Sequence, residues 1–299
     1  MKSFSLGYLL VTIALVFFGC NSGEDTIFEP KNKNAKLSTD PITINVALND
    51  TYCKKTACSC IYDVATRNYE DVQKILREKY NIDLKITYYI EPYDLEDAIK
   101  SKKYDGIITK PWTAFMYSKE YKFNFKRIAD ILDPNNNANL EGLFMVKKES
   151  SIKTLDQISG KVLVCGQKDA YEKYHSPYRL MRDKNIKPSE IINKASCLEC
   201  INYLIDKKAE VAIVSDYVMT ASCAVDIAKP EDFRIIGRTE KMPLCSVILD
   251  MNKVSENKAL RLQKALIEIS GDKSPESMIS KGFVKPMSWK PKEFINENE

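Results

Sequence analysis

Histidine is almost absent from this 299-residue chain, in which His175 is the only one. A single histidine cannot form a two-histidine metal site, and a Ser-His-Asp triad would need distant partners that the sequence does not identify. A nucleophile elbow, a phosphate-binding glycine loop and a metalloprotease motif are also lacking. The sequence therefore predicts that the protein is not an enzyme; catalysis would require a buried acid or base that sequence alone does not reveal.

Strong charge of one sign is lacking too, because 45 basic residues face 41 acidic ones and the formal net charge is +4. This balance, without a basic cluster, argues against nucleic acid as a partner. The one long apolar run extends from Leu6 to Phe18, and its 13 residues are fewer than the roughly 20 that a membrane-spanning helix needs. Because no second run occurs, further membrane insertion is not expected.

The first 19 residues have the pattern of an export signal, with Lys2 before the apolar run and the small residue Gly19 at its end. Gly19-Cys20 resembles the bacterial lipobox, in which the cysteine is lipidated and becomes the new N-terminus. The resemblance implies a lipid anchor at Cys20 and a place in the cell envelope, on the periplasmic or the outer-surface side. A cleaved signal with a chance cysteine is the alternative. The polar residues 20–40 are predicted to form a flexible tether.

Eight cysteines remain besides Cys20, and an even number in an exported chain favours disulfides. Two alternatives stay open: a thiolate metal site, and a redox-active Cys-x-x-Cys pair at Cys197 and Cys200. A zinc site usually has two such pairs, and the haem motif would place a cysteine directly before His175. The prediction is therefore no metal and no other cofactor. The disulfide candidates are Cys53, Cys58, Cys60, Cys165, Cys197, Cys200, Cys223 and Cys245.

From Pro41 onward, short β-branched runs alternate with amphipathic helical stretches, the pattern of an α/β fold with mostly parallel sheets. Two such units are joined by extended crossings at 140–147 and 244–250. The predicted lobes are 41–140 plus 245–299, and 141–244, hinged around a cleft. Strands are expected at 42–48, 84–90, 106–109, 127–132, 161–165, 191–192, 210–215 and 233–237. Helices are expected at 61–80, 95–100, 111–120, 171–184, 198–207 and 257–270.

Four segments carry a resemblance to a known family. They are the strand and turn at 105–115, the stretch Ser151 to Val162, the run Lys208 to Asp216, and Lys281-Gly282-Phe283. In order and spacing they resemble the phosphonate/phosphite/phosphate-binding proteins of ABC importers, a branch of the type II periplasmic binding proteins. The resemblance implies a monomeric two-lobe α/β protein with mixed, mostly parallel sheets and hinge crossings. It also implies capture of a small, anionic, phosphate- or phosphonate-like solute for an ABC permease.

In the family, a Ser/Thr/Gly-rich turn after the second-lobe strand holds the oxyanion at a helix N-terminus. Here the turn contains Gln167, Lys168 and Asp169 instead of the family's serines. The predicted ligand-binding residues are Lys110, Trp112, Thr113, Gln167, Lys168, Asp169, His175 and Asp216. Five of these have a plainer alternative: surface lysines for Lys110 and Lys168, core packing for the tryptophan, helix-surface placement for the histidine, and helix capping for Asp216. A cysteine-rich redox or metal-handling accessory protein on the same fold is the alternative function.

Overall fold

The computed structural model describes residues 27–31, 37–57, 62, 65–220, 227, 229–278 and 281–292. Strands and helices alternate along these residues, and the strands form two large sheets and one two-stranded pair. The strands are β1 (Ile42–Leu48), β2 (Ile82–Tyr88), β3 (Gly106–Thr109), β4 (Phe125–Ile131), β5 (Asn139–Leu140), β6 (Gly142–Lys147), β7 (Val162–Cys165), β8 (Glu190–Asn193), β9 (Val211–Ser215), β10 (Phe233–Arg238), β11 (Met242–Pro243), β12 (Ser246–Asp250) and β13 (Phe283–Val284). The α-helices are α1 (Glu70–Tyr80), α2 (Pro92–Lys100), α3 (Pro111–Tyr121), α4 (Ser176–Asp183), α5 (Cys197–Ile205) and α6 (Glu256–Glu268).

The six-stranded sheet has the order β13-β4-β12-β3-β1-β2, in which β1 runs parallel to both β2 and β3. β12 lies antiparallel between β3 and β4, so a segment late in the chain completes a sheet begun by the first strands. Helices α1 and α6 pack on one face and α2 and α3 on the other. The central strands β3 and β12 are buried at every position, as expected when helices cover both faces.

The five-stranded sheet has the order β10-β6-β9-β7-β8, with β7 parallel to β8 and β9 and with β6 antiparallel to β9 and β10. Helix α5 covers one face, and Met181 of α4 packs into the core on the other. Between the two sheets, β5 and β11 pair antiparallel with each other. The chain passes from one sheet to the other through these two strands. The predicted crossings at 140–147 and 244–250 begin slightly too late, because most of their residues form β6 and β12 of the two large sheets. The α/β class with mixed sheets is confirmed.

Helix α1 begins later than predicted. The periodicity indicates a helix from residue 61, but Arg67 forms an isolated β-bridge with Cys53 and α1 starts only at Glu70. The guanidinium of Arg67 is buried and donates from Nη1 to Oδ2 of Asp50 at 2.6 Å. The bridge and this buried ion pair fix Arg67 outside the helix, which a hydropathy pattern does not register.

The predicted helix at 171–184 is divided in two. Residues Tyr171–His175 form a π-helical turn, in which the backbone N–H of Ser176 donates to the carbonyl of Tyr171, and α4 follows. Pro177 has no N–H to donate, so the regular ladder of helical hydrogen bonds cannot continue through it. Such π-turns often occur at functional sites.

Residues 27–31 lie in the segment predicted as a tether, yet they contact the six-stranded sheet. Ile27 forms a parallel bridge with Arg127, and the N–H of Phe28 donates to the Arg127 carbonyl at 2.9 Å. Phe28 is buried in the core. Burial of these apolar side chains explains why this part of the segment is packed. Cys20 and the signal sequence lie outside the described residues.

Candidate functional site

Polar residues at the C-terminal ends of β3, β7 and β9 converge on one carboxylate, that of Glu172. Lys110 follows β3, Glu172 lies in the π-helical turn after β7, and Ser215 is the last residue of β9. Open α/β sheets bind their ligands at this edge. Lys110 belongs to the six-stranded sheet and its helices, whereas Glu172 and Ser215 belong to the five-stranded one. The cluster therefore joins the two sheets.

The side chain of Glu172 is completely buried, and its Oε1 atom accepts two hydrogen bonds. Nζ of Lys110 donates at 3.0 Å and Oγ of Ser215 at 2.8 Å. The other oxygen, Oε2, is buried and has no hydrogen-bond partner among the described residues. Gly142 of β6 permits this arrangement, because a Cβ atom there would lie 2.0 Å from the carbonyl oxygen of Glu172.

Two cations keep this buried carboxylate ionised. Burial would raise the pKa of Glu172, but the ammonium groups of Lys110 and Lys173, with Ser215, outweigh it. The pKa of Glu172 is consequently held at about 2. Burial opposes the charge of Lys110, yet the attraction of Glu172 raises its pKa. The pKa of Lys173 is also raised, because nearby groups that can carry negative charge outweigh the effect of burial.

An aromatic contact lies beside the ion pair. Trp112 of α3 is 1% exposed, and its ring centroid lies 4.8 Å from that of Tyr171 and 4.6 Å from that of His175. Nε2 of His175 lies 2.7 Å from the carbonyl oxygen of Lys168, which can only accept, so Nε2 carries the proton. Burial lowers the pKa of His175. The histidine is therefore a neutral packing residue at neutral pH.

Asp216 and Tyr217 extend the site beyond β9. Asp216 begins the 3₁₀ turn Asp216–Thr220. Burial, and then the nearby carboxylates of Glu141 and Glu172, raise the pKa of Asp216 to about 6. The ring of Tyr217 meets that of Tyr52 edge to face, with centroids 6.4 Å apart. Tyr52 packs in the core of the six-stranded sheet, so this is a second contact between the two sheets.

The structure brings together three of the predicted ligand-binding residues, Lys110, Trp112 and His175, with Asp216 close to the same carboxylate. Thr113 is half-buried, and its N–H donates to the Lys110 carbonyl within the first turn of α3. The remaining predicted residues are exposed in the loop after β7: Gln167, Lys168 and Asp169. The backbone carbonyl of Lys168 reaches the cluster through His175.

Sequence reasoning missed Glu172, Lys173, Ser215 and Tyr171. Glu172 carries the one available signal, since it occupies the first turn of the predicted helix that follows the family's anion-binding turn. A glutamate there is usually a surface residue whose negative charge interacts favourably with the N-terminal end of the helix dipole. Its burial depends on Gly142 and on the π-helical turn, which no local pattern indicates.

The disulfide prediction fails for the five cysteines that the structure describes, all of which are free and buried: Cys53, Cys165, Cys197, Cys200 and Cys245. They fill apolar cores as thiols, with Cys165 and Cys200 in different core clusters. Burial raises the pKa of both these thiols to about 12. The remaining candidates, Cys58, Cys60 and Cys223, lie outside the described residues.

Other features of the described residues lie away from this cluster. Within them, three or more His, Cys, Asp or Glu side chains nowhere gather in a way that could hold a metal ion. No helix in the same ranges is long and apolar enough to cross a membrane. A cavity of about 490 Å³ lies beneath the packed N-terminal segment, lined among others by Phe28, Lys126 and Val254.

The fold is shared with several proteins of known structure. A protein of Xanthomonas citri, XAC2383, bound to ATP, superimposes with a TM-score of 0.61 at 13% identity, over 84% of this chain and 92% of its own. PhnD1 of Prochlorococcus marinus, in complex with methylphosphonate, gives 0.56 at 12% identity, over 82% and 93%. The binding component PA3383 of a Pseudomonas aeruginosa ABC phosphonate transporter gives 0.52 at 14% identity, over 80% and 77%. The architecture is thus that of the type II periplasmic binding proteins.

The family described as the periplasmic substrate-binding protein of ABC phosphonate transporters matches residues 62–287. The match covers more than half of the chain, so the protein belongs to this family of extracytoplasmic solute-binding proteins, which are not enzymes. The sequence-based assignment of the family is confirmed. A search of curated proteins returned no match.

Proposed function

We propose that the protein is a lipid-anchored solute-binding protein that captures a small anionic solute between two lobes and passes it to an ABC permease. The lobes comprise residues 41–140 plus 245–299, and 141–244. The pair β5–β11, through which the chain passes between the sheets, supports a hinge at that point. The lipid anchor is assigned to Cys20, and the protein acts as a monomer.

The observation that carries the proposal is the convergence of Lys110 and Lys173 at the C-terminal ends of the parallel strands. Lys173 is buried and the side chain of Lys110 is 23% exposed, so both lie in surroundings with little water, where attraction for an anion is stronger than at the surface. The contacts of Trp112 with Tyr171 and His175 would close over a solute bound there. Half-buried and exposed residues around this centre would form the rim: Thr113, Gln167, Lys168, Asp169 and Asp216.

A redox or metal-handling role has less support. The described thiols are buried, and a thiol must be accessible and have a low pKa to exchange electrons efficiently. Burial instead raises the pKa of Cys53 and of Cys245.

Isothermal titration calorimetry with phosphate, phosphite and methylphosphonate tests the proposal. The wild-type protein is expected to bind at least one of these anions at a single site. Lys110→Gln should weaken that binding by about tenfold or more, because one of the buried cations is lost. Lys208→Gln, which removes an exposed lysine, is the matched control. Equal affinity in both variants would contradict the assignment of Lys110, and absence of binding to all three anions would contradict the anionic solute.

A further inference from the structure

The carboxylate of Glu172 lies at the position where the proposed function would place the acid group of a solute. It is held by an ammonium group from the other sheet and by a hydroxyl group from its own sheet, which are partners that an oxyanion requires. Lys110 and Ser215 already donate to its Oε1 atom, at 3.0 and 2.8 Å. The groups that would bind an oxyanion are therefore already hydrogen-bonded to a side chain of the protein itself.

This arrangement differs from an ordinary structural ion pair in two ways. An ion pair that serves stability alone would have its remaining lone pairs satisfied, but Oε2 of Glu172 is buried without a hydrogen-bond partner among the described residues. In addition, the pair with Lys110 links residues of different sheets, and a hinge motion would break it. Glu172 thus holds Lys110 in a contact that must open before a solute can enter.

The loop after β7 supports the same interpretation. In this chain the first helical turn after β7 contributes the buried carboxylate of Glu172 to the site. A free oxyanion placed beside Glu172 would be repelled by it at close range in a site with little water. Binding would require the side chain to move away from Lys110.

We propose that Glu172 is a specificity-determining residue that acts as an internal competitor: its carboxylate occupies the anion position between Lys110 and Ser215, so a small oxyanion binds only by displacing it. The inference rests on the proposed function, because it assumes that the solute's acid group binds at Lys110. Small inorganic anions, which make few other contacts, are penalised most. A larger solute with further contacts in the cleft can offset the displacement.

The test is calorimetric titration of phosphate and methylphosphonate into the wild-type protein and Glu172→Gln. Removing the competing charge should tighten the binding of both anions by about tenfold or more. Glu210→Gln makes the same change in net charge at an exposed ion pair of the same lobe and should leave the affinity unchanged. Glu172→Asp, which keeps the charge near Lys173 but shortens the reach toward Lys110, should give a smaller increase and serves if Glu172→Gln does not fold.

The outcomes separate the inference from the proposed function. If the wild-type protein binds an anion and neither Glu172 variant binds it more tightly, Glu172 is not a competitor, while the anion-binding function remains. If Glu210→Gln tightens binding as much as Glu172→Gln, the effect is one of net charge and the inference is wrong. If neither the wild-type protein nor any variant binds either anion, both the anionic solute and the competitor role are overturned.

Discussion

Replacing Asp216 with asparagine should stabilise the protein, and should do so increasingly as the pH rises. Burial and the carboxylates of Glu141 and Glu172 raise the pKa of Asp216 from 3.8 to about 6. Because the pKa is raised in the folded state, the neutral form is favoured there. The stability that protonated Asp216 contributes to the folded state is fully present below pH 3.8 and is lost as the pH rises through about 6. Asparagine resembles the neutral form at every pH.

The magnitude follows from the shift. A difference of about two pKa units corresponds to about 3 kcal/mol, at 1.36 kcal/mol per unit. The free energy of unfolding of Asp216→Asn minus that of the wild-type protein should therefore be about 2 to 3 kcal/mol larger at pH 8 than at pH 4. Urea unfolding at both pH values gives this difference. Asp206→Asn, at an exposed ion pair, should change stability by less than about 1 kcal/mol. A pH-independent effect of Asp216→Asn would refute the reasoning.

Three further predictions concern packing. Asp50→Asn leaves the buried guanidinium of Arg67 without its carboxylate partner and should lower the free energy of unfolding, measured in urea, by about 3 to 5 kcal/mol. The control Asp83→Asn, at the surface, should lower it by less than about 1 kcal/mol, and an equally small effect of Asp50→Asn would contradict the assigned burial. Gly142→Ala should lower the melting temperature and shift the tryptophan emission of the site, because the new methyl group would clash with the backbone of Glu172; an unchanged spectrum and melting temperature would count against this packing. Alkylation of the folded protein, followed by mass spectrometry, should leave five thiols unmodified until urea is added: Cys53, Cys165, Cys197, Cys200 and Cys245. Modification before urea is added would disprove their burial.

The sheet architecture was accessible from sequence because its central strands are short, continuous apolar runs. The predictions for β1 and β3 match the structure in both bounds, at Ile42–Leu48 and Gly106–Thr109. Pro111, in the first turn of α3, likewise fixes a helix start by its own geometry. Such local signals require no knowledge of distant partners.

The site was only partly accessible, because its key features depend on residues far apart in the chain. Lys110 and Trp112 could be selected since they follow a predicted strand. The burial of Glu172 depends on Gly142, thirty positions earlier, and on Ser215 at the end of another strand. The state of the cysteines is likewise a property of the packed cores and not of their even number.

The central claim, that the protein binds a small solute, is tested most directly by native mass spectrometry of the detergent-extracted protein from the cells that produce it. The account predicts a monomer carrying the mass of one lipid modification at Cys20, and a small acidic molecule that is released on denaturation. Addition of phosphate, phosphite or methylphosphonate to solute-free protein should give a one-to-one complex with at least one of them, which Lys110→Gln should form more weakly. A protein that carries no acidic molecule and takes up none, or that retains a metal ion on its cysteines, would contradict the account.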